Sequence, residues 1–116
     1  MAQKQELMAS GLAYEASKQL GFDTLSTFAA AGSGQTSATS LTSNCANVTS
    51  GSGGVILPAN TETFLGVNNS GGTITLYPPV GSAINGGSTN SGFSWTNGKG
   101  LIAIPVGLNI LVNMSA

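Results

Sequence analysis

From Gly32 onward the chain changes its nature every few residues: short β-prone runs are cut again and again by Gly, Ser, Thr and Asn. No helix fits between such interruptions, whereas strands of four to eight residues joined by turns fit well. The runs are Gln35–Leu41, Val55–Leu57 (stopped by Pro58), Thr61–Val67, Thr73–Tyr77, the stretch holding Phe93 and Trp95, Gly100–Pro105 and Leu108–Met114. Glycine supplies 17 of the 116 residues, about twice the usual share. Without a Gly-X-Y period this is not collagen, so the glycines read as turns and bulges. No internal repeat is apparent. Asn68-Asn69-Ser70-Gly71-Gly72 reads as a hairpin turn, and Asn97-Gly98 as a type I′ turn. The expected fold is mainly β: an antiparallel β-sandwich, jelly-roll-like or a barrel, over residues 32–116.

The last two runs predict strands with two usable faces. Ile102 and Ile104 point one way and Leu101 and Ala103 the other. Ile110 and Val112 alternate with Asn109, Leu111 and Asn113 in the same way. Apolar residues on both faces suit either a central place in the fold or a subunit interface.

Residues 1–31 look different and read as an N-terminal α-helical anchoring segment. Met8, Leu12, Ala16 and Leu20 recur every fourth residue, with Leu7 beside them, which lays an apolar stripe along a helix. Gly21 is a natural C-cap. Asp23 reads as the N-cap of a short second turn carrying Leu25 and Phe28. Leu7, Met8, Leu12 and Leu20 are the candidate partner-binding residues, for a shell or for other copies of the chain. Lys4, Glu6, Glu15 and Lys18 interrupt any apolar core of a signal peptide, so synthesis in the cytoplasm is expected, with exit only inside a larger particle. Leu101–Val112 is too short and too broken to span a membrane as a helix.

Charge excludes whole classes of function. Only 6% of residues are charged and there is no Arg or His; ordinary soluble domains reach roughly 25%. Beyond Asp23 the only ions are Glu62 and Lys99. No cluster of cations exists to neutralise phosphates or hold an acidic membrane, so neither nucleic acid nor membrane is an expected partner. Glu62 lacks a second carboxylate for acid–base work, and the many Ser and Thr hydroxyls lack an identifiable base. Cys45, the sole cysteine, reads as a small buried side chain. With no His and scattered acids, metal sites and cofactors are not expected. Gly98-Lys99 fails as a phosphate loop, because Gly100 follows it and Phe93 stands where a Gly is needed. The chain is expected not to be an enzyme. Tyr77 and Trp95 leave one ligand-binding alternative, a glycan-stacking surface; packing of Phe93 and Trp95 into the core competes with it.

Leu76-Tyr77-Pro78-Pro79-Val80-Gly81, then Ala83-Ile84-Asn85-Gly86-Gly87 and Gly92-Phe93-Ser94, with Lys99 beyond, resemble a segment of small virion proteins of tailed bacteriophages. Gln35–Thr39 and Gly54–Pro58 look like the same pattern, so the resemblance covers roughly residues 35–105. It implies a β-sandwich, often trimeric, carried on the virion as a capsid decoration (cement) protein or head fibre. The partners it implies are the major capsid protein and further copies of the chain. The alternative is a tail, neck or fibre subunit, or a glycan-binding fibre module. No catalytic residue carries over.

Overall fold

The computed structural model describes residues 25–60 and 62–115, where the chain forms strands and turns and no helix. Ten strands follow one another: β1 (Ser26–Ala30), β2 (Thr39–Ser40), β3 (Cys45–Gly51), β4 (Gly54–Ile56), β5 (Phe64–Asn68), β6 (Ile74–Tyr77), β7 (Ala83–Ile84), β8 (Phe93–Trp95), β9 (Gly100–Val106) and β10 (Asn109–Met114). They build a six-stranded sheet, ordered β1-β3-β5-β9-β10-β7, and a four-stranded sheet, ordered β2-β4-β6-β8. The protein is therefore mainly β with two sheets. Residues 1–24, which hold the expected helix and its stripe, lie outside the described residues. Leu25 and Phe28 do not belong to a second helical turn, because Ser26–Ala30 is an edge strand paired with β3.

The chain reaches this arrangement by winding. From β1 to β6 each strand lies in the opposite sheet from the one before it, so successive strands of one sheet are laid side by side and parallel. Ser26 lies beside Ala46 and Ala46 beside Gly66, so each winding consumes twenty residues. This corrects the hairpin expected at Asn68–Gly72: β5 and β6 belong to different sheets, and the segment between them is a corner. Asn97-Gly98 likewise joins β8 to β9 across the two sheets. Antiparallel pairing, expected throughout, occurs between β5 and β9, β6 and β8, and β9 and β10. Of these, only β9 and β10 are joined by a tight turn. There Gly107 takes φ 64° at the first of two turn positions, the place where a two-residue hairpin favours glycine.

The corners stack as the strands do. Ala31 and Gly54 exchange two backbone hydrogen bonds of 3.1 Å, and the Thr75 N–H donates to the Gly53 carbonyl at 2.9 Å. Gly51 and Gly53 have φ of 86° and 103°, and a Cβ on either would collide with the winding above, at the carbonyls of Ala30 and Gly32. Only glycine meets both demands.

Both sheets contribute to one core. Ala46, Val48, Phe64, Leu101, Ala103, Ile110 and Val112 come from the larger sheet; Val55, Ile74, Leu76 and Trp95 come from the smaller. Trp95 is fully buried, meets Phe64 edge-on with ring centroids 6.4 Å apart, and donates its Nε1–H to the Lys99 carbonyl at 2.9 Å. Phe93 packs on the same cluster. Asn68 is the largest buried polar side chain, and its amide is fully used. Its Nδ2 donates to the carbonyls of Gly72 (2.9 Å) and Trp95 (2.8 Å), and its Oδ1 accepts from the Ser70 N–H and hydroxyl. One side chain thus fixes the β5–β6 corner to the end of β8.

Candidate functional site

The residues able to do chemistry do not converge. Among the described residues, no three of His, Cys, Asp and Glu lie together. Cys45 is buried and free, and burial pushes its thiol above the ordinary range, which leaves it less nucleophilic at neutral pH. The Lys99 carbonyl, at the β8–β9 corner, accepts from Asn68 N–H as well as from Trp95.

The glycan-stacking pair is not assembled. Trp95 has no exposed surface and faces the core. Tyr77 follows the buried Leu76 on β6 and so takes the outward face, where its ring lies over Gly54 and Gly92. Two rings on opposite faces of a sheet cannot share a sugar. The competing expectation for Phe93 and Trp95, a common core-facing side, is what the structure has. Leu7, Met8, Leu12 and Leu20 lie outside the described residues.

Apolar surface is what the body presents, in two places. The first is the outer face of the six-stranded sheet. Leu101 and Ala103 of β9 and Ile110 and Val112 of β10 point inward, so Ile102, Ile104 and Leu111 point outward, as their alternation predicts. The register sets Cys45, Leu65, Ile102 and Asn113 in one row across four adjacent strands. In the next row Asn47, Val67 and Gly100 lie side by side. With no side chain at Gly100 the face is hollowed, and a trough of about 490 Å³ runs over β3, β5 and β9. Leu25, the first described residue, lines it and is 52% exposed; neither Glu62 nor Lys99 lines it. Beyond it, on the same face, Ile104 and Leu111 are also exposed.

The second place is one end of the body. There the β9–β10 turn meets the loop after β6, and the Ala83 N–H donates to the Leu108 carbonyl at 2.9 Å. Pro79, Val80, Pro105 and Gly107 border a shallow cleft of about 310 Å³. Val80, Val106 and Leu108 are the three most exposed large apolar side chains described, at 71%, 57% and 73%. The Tyr77–Gly81 stretch signals turns in sequence, but nothing in it indicates that Val80 would lie near the distant β9–β10 turn.

The turn-rich segment between β6 and β8 is held by side-chain amides. Asn85, with φ 53°, continues β7 through its side chain: Nδ2 donates to the Val112 carbonyl (3.1 Å) and Oδ1 accepts from the Val112 N–H (2.8 Å). Asn90, with φ 66°, accepts from the Gly81 N–H at 2.7 Å and from Gln35 Nε2 at 3.2 Å. Gln35 also reaches the Pro78 carbonyl at 2.7 Å. Set against known proteins, the chain matches no family model, no curated protein and no solved structure.

Proposed function

We propose that this chain is a structural subunit of a tailed-bacteriophage virion, a homo-oligomeric capsid decoration protein that binds the major capsid protein and stabilises the shell. We read its two sheets around one core as a sandwich built by winding. The observation that carries the assembly reading is the apolar end formed by Val80, Val106 and Leu108, with Pro79 and Pro105 beside it. Large apolar side chains exposed together mark a surface that another protein covers. The virion as the setting, and a trimer as the oligomer, come from the likeness of residues 35–105 to phage virion proteins. The subunit works through shape and apolar contact, without a catalytic step.

Co-sedimentation of the purified protein with undecorated capsids tests this. Leu108→Asp and Val80→Asp should each weaken binding about tenfold or more, since a charge is forced into a dry contact, while the tryptophan fluorescence of the folded body is kept. Unchanged binding by both variants would remove the apolar end from the account. Imaging of intact particles gives the location: many copies spread over the head fit a decoration protein, and a few copies confined to the tail or neck fit the alternative.

A further inference from the structure

We propose that the trough on the outer face of the six-stranded sheet is the docking site of this chain's own N-terminal segment, whose apolar stripe of Met8, Leu12, Ala16 and Leu20 lies across it. This inference is independent of where the protein is assembled. Three observations lead to it. The 24 residues preceding the described body join it at Leu25, and Leu25 itself lines the trough. The link from Leu20 to Leu25 is short, at most about 18 Å when extended, so Leu20 is tethered within that reach of the trough. The dimensions also agree. At helical spacing Met8 to Leu20 spans about 18 Å, and the four strands that carry Cys45, Leu65, Ile102 and Asn113 are about 14 Å across.

Charge supports the same pairing. Among the described residues no ion lines the trough, while five of the chain's seven charged residues, Lys4, Glu6, Glu15, Lys18 and Asp23, lie in the segment that precedes it. Laying the stripe on the sheet buries apolar surface from both partners and clothes an uncharged face with charge. A tethered segment also meets its site at an effective concentration in the millimolar range. Modest apolar contact is then enough to hold it.

Cys45, the only cysteine, lies in the trough and reports on its cover. In the full-length protein, Leu12→Cys and Ala16→Cys should form intrachain disulfides with Cys45 under mild oxidation, about tenfold faster than Lys18→Cys on the opposite side of the stripe. In a second measurement, Leu12→Asp should raise the labelling rate of Cys45 by a maleimide about tenfold, the ratio expected when the docked form predominates by that factor; Lys18→Asp should not. Trp95 fluorescence shows that each variant keeps its core. If Leu12→Asp disturbs the core, the disulfide series decides alone. Equal rates at Leu12, Ala16 and Lys18, or disulfides formed only between copies, would overturn the proposal. A Cys45 labelling rate unchanged in a folded Leu12→Asp protein would do the same.

Discussion

At the scale of single residues, the structure depends most on polar groups that are fully used and on places with no room for a side chain. Asn68 is buried with all its amide valences occupied. Truncation to Ala removes the bonds to the Trp95 carbonyl and the Ser70 N–H and leaves the Gly72 carbonyl only the Ser70 hydroxyl, so Asn68→Ala should cost about 3 kcal/mol, read from the urea midpoint. Gly66 lies under the rings of Trp95 and Phe64, where a Cβ would come within 2.7 Å and 2.9 Å of them. Gly66→Ala should lose about 2 kcal/mol through overpacking and alter the near-ultraviolet dichroism of Trp95. The Cys45 thiol is pushed up by burial. The unfolded chain therefore releases this proton at lower pH than the folded one, and stability falls as pH rises from the ordinary thiol range towards the raised value. Cys45→Ala should flatten that part of the alkaline stability profile.

At the scale of elements, the sequence showed where strands lie better than how they pair. The alternation of Leu101 to Ile104 and of Ile110 to Val112 divided the residues between two faces without saying which is core, and β9 and β10 do take interior places in their sheet. The short gap between these two runs suggests a turn at Val106-Gly107, and the structure makes it one residue later, at Gly107-Leu108. Asn68–Gly72 was misread because a corner between sheets asks for the same residues as a hairpin: glycines free in φ and an Asn that bonds to nearby backbone. The winding has a trace in Ala31-Gly32-Ser33-Gly34, Gly51-Ser52-Gly53-Gly54 and Asn69-Ser70-Gly71-Gly72, which recur near the twenty-residue step. The recurrence is faint because stacked corners require only the absence of side chains. Strand β1 was missed for a related reason: Leu25 and Phe28 have helical spacing, but pairing with β3 outweighs so short a local preference. Asn85 has a role that its turn-like neighbours conceal, since its side chain lengthens the two-residue β7. Asn85→Ala should speed hydrogen exchange at the Val112 amide, with little change at the Leu101 amide on the far side of β9.

Over the whole molecule, charge and apolar surface are separated along the chain. The described body carries Glu62 and Lys99 as its only ions, and its exposed apolar side chains gather on one sheet face and at one end. Contacts made through such surfaces have little Coulombic content for salt to screen. Self-association measured by sedimentation should therefore change little between low and physiological ionic strength. A steep decline with added salt would point to contacts made by the charged N-terminal segment. Apolar surface was visible in the sequence as a quantity; its division between a trough and an end was not, because the loop after β6 brings Val80 to the cleft beside Pro105 and Gly107 only in the folded chain.

The twenty-residue step also has a kinetic consequence. Nearly every strand pair joins residues distant in the chain, and only β9 and β10 can close without waiting for a long loop. High contact order places refolding in the range of milliseconds to seconds. The β9–β10 ribbon is the natural nucleus onto which β5, then β3, then β1 are laid, so substitutions at Ile110 should slow refolding while substitutions at Phe28 mainly hasten unfolding.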